Sequence, residues 1–197
     1  MNKREISYIE KCKDNVTFDD SIINLINNIE TFAQKCKTLA ITTPKDNFLN
    51  TFLGYNLAKY YVNNGKKVLV IEANYKEPIL KELVDSIGDE EKEESDGIHH
   101  LNNGVDVIYS TTNKLTAEQL HSDNFLNMLN YGKSNYDYVI MLVTPVLVNN
   151  DLFALKDDFD ASIIVAKKEE TILKNIYASI DLIKRNDLPL LGVVLLK

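Results

Sequence analysis

The sequence predicts an α/β fold: a doubly wound, mainly parallel sheet flanked by helices in three layers. Two observations carry that expectation. Apolar runs recur at 39–41, 68–71, 105–109, 138–143, 161–166 and 190–196, each short enough and apolar enough to be a strand buried on both faces. Between them lie segments with helical spacing, and strands that alternate with helices build a parallel sheet covered on both sides.

The elements follow in order. Residues 1–16 are polar and mixed, and read as an N-terminal arm. Residues 17–197 read as one domain, with no internal repeat and no linker. Over 18–34, Ile22, Ile23, Leu25, Ile26, Ile29 and Phe32 mark a helix that Asp19 or Asp20 can cap. Strand 39–41 is followed by a loop over 43–50. Then Phe52, Leu53, Leu57, Ala58, Tyr61 and Val62 recur at helical spacing. Asn63, Asn64 and Gly65 stop that helix, and strand 68–71 completes a βαβ unit. In such sheets the ligand crevice lies beyond the carboxyl ends of the strands, which here means loop 43–50 and the end of strand two at Glu72. Pro78 is expected to open a short helix to about Ser86. The acidic run 88–97, bounded by Gly88 and Gly97, reads as a solvated loop, with an interaction loop for a basic partner as the alternative. A helix is expected over 115–131, ended by Gly132, with others over 149–156 and 170–185.

Composition narrows the function. Net charge is −7, which argues against a nucleic-acid surface and against binding to anionic lipid. No apolar run approaches a membrane span and the first residues lack a signal-peptide core, so the expected location is cytoplasmic, with no direct membrane insertion. Cys12 and Cys36 have no metal-ligand spacing and are expected as reduced thiols. Adjacent His99 and His100 point to opposite faces of a strand, so surface histidines, not a metal pair, are expected, and no metal site is assigned. Tyr60, Tyr61, Tyr136 and Tyr138 are expected in the core or on helix surfaces, not as phosphate acceptors.

The loop at 43–50 has the setting of a phosphate-binding loop. Such a loop needs glycines, so that backbone N–H groups can wrap the phosphates, and a Lys followed by Ser or Thr for phosphate and magnesium. Here the residues are Pro44, Lys45, Asp46, Asn47, Phe48, Leu49, Asn50 and Thr51. Only fragments of that chemistry are present. Read structurally, the loop is a strand-to-helix turn with Asn47, Asn50 or Thr51 as helix cap.

The order of segments resembles the cytoplasmic domain of bacterial tyrosine kinases of the capsular and exopolysaccharide family, P-loop proteins related to the MinD/ParA ATPases. The resemblance runs over roughly 18–197. It is carried by Asn28-Ile29, by the strand at 39–42, by Gly65-Lys66-Lys67-Val68-Leu69-Val70-Ile71 against GKKVLLID, by Pro78 against RRP, and by Thr116-Ala117-Glu118-Gln119-Leu120 against NPxELL. Tyr136-Asp137-Tyr138-Val139-Ile140 with Pro145-Val146-Leu147 resembles YDYVIID followed by PPVL. Asp151 and Gly192-Val193-Val194-Leu195 complete the series.

The resemblance implies a nucleotide site, and the residues at its positions have changed. The GxGK(S/T) pattern falls on Asn47, Phe48, Leu49, Asn50 and Thr51, without either glycine or the lysine. Lys45 falls on the extra signature lysine of MinD-type loops. Glu72 keeps the acidic end of strand two, while the second aspartate falls on Asn74. The Walker B aspartate falls on Leu142, the adenine-facing asparagine on Leu196, and the ring-forming arginines on Ile23 and Ile26. Lys45, Asn47, Asn50, Thr51 and Glu72 are therefore the candidate cofactor-binding residues, and no catalytic residue is assigned. Asp46 is a candidate tethered anion for the helix N-terminus.

The expected function is a degenerate, catalytically silent relative acting through a protein partner, such as a membrane-anchored adaptor or an active kinase paralogue, without a cofactor; a homodimer stays open. The alternatives are an ATP- and Mg-dependent tyrosine kinase or ATPase with an unconventional P-loop, and a MinD/ParA-like positioning factor.

Overall fold

The computed structural model describes residues 16–32, 36–45, 48–75, 77–89, 91–95, 97–109, 120 and 122–196. Helix α1 (Val16–Phe32) leads to β1 (Thr38–Thr42), α2 (Phe48–Asn63) and β2 (Val68–Glu72). Then come α3 (Leu80–Ile87) and three short strands, β3 (Glu91–Ser95), β4 (Ile98–Leu101) and β5 (Asp106–Ile108). Helix α4 (Asp123–Asn135), β6 (Tyr138–Leu142), α5 (Asp151–Ala154), β7 (Ala161–Lys167), α6 (Leu173–Arg185) and β8 (Leu190–Leu196) complete the chain.

The strands form one sheet in the order β3-β4-β5-β2-β6-β1-β7-β8. The pairs β5–β2, β2–β6, β6–β1, β1–β7 and β7–β8 are parallel. Among the described residues, β3–β4 and β4–β5 are the antiparallel pairs. Side-chain alternation along the strands divides the interior in two. Leu39, Ile41, Val68, Val70, Ile140 and Leu142 face a core with α1, α2 and α3. Ala40, Leu69, Ile71, Val139 and Met141 face a second core with α4, α5 and α6. The period of two thus produces the expected three layers, with β2 and β6 at the centre of the sheet.

Several elements differ from the sequence expectation. The acidic run is not a loop. Glu91–Ser95 pairs with β4 as an edge strand, because Gly97 at φ 78° turns the chain back on itself. Gly132 does not end α4, which continues to Asn135. A Cβ at Gly132 would lie 2.9 Å from Leu69 Cδ2, so this glycine lets the helix approach β2. The start of α4 is fixed by Ser122, whose side chain accepts from Phe125 N–H at 3.2 Å; the residues expected to begin it, 115–119, lie outside the described residues. Helix α3 begins two residues after Pro78, α5 shrinks to Asp151–Ala154, and α6 begins at Leu173.

Several aromatic residues and Cys36 pack within the fold. Tyr61 stacks on Tyr138 at 4.1 Å, and Tyr136 donates to Asp106 at 2.7 Å. Burial, with Asp160 nearby, pushes the Cys36 thiol up to about 12, so it stays protonated near neutrality. Cys12 lies outside the described residues. Ile26 joins the core while Ile23 is 37% exposed.

Candidate functional site

The crevice lies where β1, β2 and β6 end together. The turns beyond these strands are knitted to one another: Val143 N–H donates to Ile41 O at 3.0 Å, Ala73 N–H to Leu142 O at 3.0 Å, and Val146 N–H to Thr43 O at 2.9 Å. Thr42 Oγ1 adds a bond to Thr144 O at 2.8 Å. Thr144 in turn donates to the buried Asp151 carboxylate at 2.5 Å, and Tyr75 donates to the same carboxylate at 3.2 Å.

Helix α2 follows this turn, as a P-loop helix would, but its first turn is part of the core. Phe48, Leu49, Asn50 and Thr51 are each 5% exposed or less. Phe48 and Leu49 join the cluster between α1, α2 and the sheet, with Phe48 stacked on Phe52 at 5.6 Å. At these two motif positions the structure places apolar side chains in the core, where burial stabilises them.

Asn50 stands where the family's lysine would reach out. It is the third residue of α2, not its cap, and it is fully buried. Its Nδ2 donates to Val143 O at 2.7 Å and to Ile41 O at 3.4 Å. The amide therefore ties the helix to the ends of β6 and β1. Thr51 is likewise inside the helix and 1% exposed. Asn47 and Asp46 lie outside the described residues. Lys45 is exposed and shares a shallow cleft of about 330 Å³ with Pro44, Lys167, Glu170, Thr171 and Ile172.

Glu72 ends β2 and is 4% exposed. Its Oε1 accepts from Ile79 N–H at 2.6 Å and Leu80 N–H at 2.7 Å. This carboxylate caps α3 from the end of β2. Its charge also suits a helix N-terminus. Asn74 closes the intervening turn, with Nδ2 on Glu77 O at 3.0 Å and Oδ1 receiving Glu77 N–H at 3.4 Å. Replacing Glu72 by alanine is expected to strand two amide donors, one of them buried, and to lower stability by about 1–3 kcal/mol. Glu72→Gln, which keeps the acceptor oxygen, is expected to retain most of it in a denaturant melt.

Leu142, the register partner of Glu72 across β2–β6, is fully buried. It packs on Gly54 of α2, where an added Cβ would meet Leu142 Cδ2 at 2.4 Å and Ile140 Cγ2 at 3.3 Å. The space at the end of β6 is thus filled by hydrocarbon pressed against helix backbone. Leu196, at the adenine-side position, is 7% exposed. The sequence did not signal the Thr144–Asp151–Tyr75 cluster or the capping role of Glu72, since both depend on residues brought together by the fold.

No protein-family model matches the chain. Comparison with solved structures establishes the fold. The chimerical protein CapA2B2 superposes with a TM-score of 0.81 at 19% identity, over 99% of this chain and 90% of that one. The kinase domain of the Escherichia coli tyrosine kinase ETK gives 0.78 at 22% identity, over 88% and 73%. The septum site-determining protein MinD from Pyrococcus horikoshii, complexed with Mg-ADP, gives 0.60 at 18% identity, over 81% and 69%. The chain therefore has the P-loop α/β fold shared by bacterial tyrosine-kinase domains and MinD, as its order of segments implied.

Proposed function

We propose that this chain is a catalytically silent relative of the bacterial tyrosine kinases that works by binding another protein. One observation carries the reading: three of the positions that would hold Mg-nucleotide, at residues 50, 72 and 142, are committed to the fold. Asn50 is bonded to strand-end carbonyls, Glu72 caps α3, and Leu142 fills the space against Gly54. Phosphoryl transfer rests on positioning and charge neutralisation, and magnesium favours oxygen ligands that Leu142 does not offer. The residues present do not fit the magnesium and ADP named for MinD, so no catalytic step is derived.

The protein-binding half of the reading is supported by surface composition at the same edge. Ile172, Leu173 and Tyr177 are 62–66% exposed at the start of α6. Ile172 lines the cleft that holds Lys45, and Val148 is exposed beyond β6. Apolar groups clustered at a ligand edge are a contact surface for protein. On the resemblance of its segments to the tyrosine-kinase family, we place its action in capsule or exopolysaccharide assembly, with a protein partner such as a membrane-anchored adaptor or an active kinase paralogue. Among the described residues no helix is long and apolar enough to cross a membrane.

The test is the melting temperature with and without millimolar ATP or ADP and magnesium. A ligand at a hundred times its Kd adds about 2.7 kcal/mol, and each kcal/mol is a shift of roughly 2–4 °C for a chain of this size. No shift is expected. A magnesium-dependent rise, lost in Lys45→Ala, would instead establish an unconventional nucleotide site built on Lys45.

A further inference from the structure

The antiparallel corner formed by β3 and β4 carries a second cluster of chemistry, far in sequence from the crevice loop. Register pairs Glu94 with His99 and Glu91 with Leu101, with an irregularity between Glu91 and Glu93. In a regular strand Glu91 and Glu94 would point to opposite faces. The extra residue changes the phase, so both glutamates join His99 on one face.

The two histidines differ sharply. His100 is satisfied, with Nδ1 at 2.7 Å from Asp106 and Nε2 at 2.9 Å from Ser95. His99 is 9% exposed, with its ring against Tyr109 at 4.7 Å. The expectation of two surface histidines therefore fails for His99. Its Nδ1 is buried without a hydrogen-bond partner, although a Glu91 oxygen lies 3.0 Å away and a Glu94 oxygen 3.9 Å away. Neither contact has the geometry of a hydrogen bond. A buried ring nitrogen aimed at two carboxylates and bonded to neither is arranged as a ligand is.

We propose that Glu91, Glu94 and His99 bind a divalent transition-metal cation of the zinc class. Among the described residues this trio alone brings three or more His, Cys, Asp or Glu ligand atoms within 4.8 Å of one another. Zinc bonds of about 2.0–2.2 Å set tetrahedral ligands about 3.4 Å apart, and the two nitrogen–oxygen distances bracket that value. One imidazole with two carboxylates suits zinc better than magnesium or calcium, which prefer oxygen alone. Three protein ligands leave a position for water. The ion would tie the acidic edge strand to β4 and supply the buried nitrogen with its missing partner.

The experiment titrates the full, metal-stripped chain with Zn²⁺ in a calorimeter, beside the Glu91→Gln/Glu94→Gln double variant and His100→Gln. One equivalent is expected to bind the unaltered chain, at least tenfold more weakly to the double variant, and unchanged to His100→Gln. Both glutamates are exposed, so the double variant should keep its fold, which circular dichroism checks. Imidazole nitrogen NMR of the unaltered chain gives a readout free of mutation: Zn²⁺ should shift His99 Nδ1. Absence of saturable binding, full affinity in the double variant, or an unmoved His99 Nδ1 each overturns the assignment and leaves an ion pair in its place.

Discussion

Replacing Leu142 by aspartate, the residue the kinase family carries at this point, is expected to destabilise the chain by about 3–5 kcal/mol, the scale for an uncompensated buried charge. Leu142 is fully buried and its register partner is the Glu72 carboxylate. The new charge would have a like charge across the ladder and hydrocarbon on the α2 side. The sign with pH is diagnostic. Burial raises the carboxyl's folded pKa above its ordinary value of about 3.9, so the variant is least harmed below that value and loses stability as pH rises through the folded pKa. Melts of the variant and the unaltered chain at about pH 4 and pH 7 should show the gap widening with pH. Magnesium and ATP should not narrow it. If they did, a metal site would persist at the end of β6 and the silent reading would fail.

Gly54→Val is expected to destabilise the chain by about 1–3 kcal/mol or more. The first added carbon would already lie 2.4 Å from Leu142 Cδ2 and 3.3 Å from Ile140 Cγ2, with no route for α2 to withdraw, since Asn50 ties it to the sheet. The informative measurement is a double-mutant cycle by denaturant melts. Leu142→Ala alone opens a cavity, typically costing about 2–5 kcal/mol. Combined with Gly54→Val, the two should destabilise by clearly less than their sum, because each occupies the space the other needs. Additive losses would mean that the contact does not limit the approach of α2.

The parallel strands were legible in the sequence because burial on both faces leaves an unbroken apolar run, and such runs have few competing explanations. The βαβ unit around α2 was legible for the same reason, with Gly65 at φ 77° ending the helix as expected. The acidic run was not legible: a strand of Glu and Lys lacks β propensity, and it forms only because β4 is already there to pair with. The candidate site was legible as a set of losses and not as a set of new roles. Sequence shows that Leu142 cannot bind magnesium. It does not show that Leu142 meets Gly54, or that Asn50 turns its amide to Val143 and Ile41 instead of capping its own helix. These roles are contacts across the sheet, between residues as far apart as 50 and 143, and no local pattern encodes them.

The strand that the sequence hid has a consequence for how molecules of this chain meet one another. An outermost strand offers unpaired backbone groups to any neighbour, and an apolar one invites continuous sheet growth between molecules. Here one margin of the sheet is β3, with Glu91, Lys92, Glu93, Glu94 and Ser95 in succession. Charged residues on an outermost strand, lysine among them, make it a poor template for such growth. The charged segment thus works as a guard rail along this margin of the sheet.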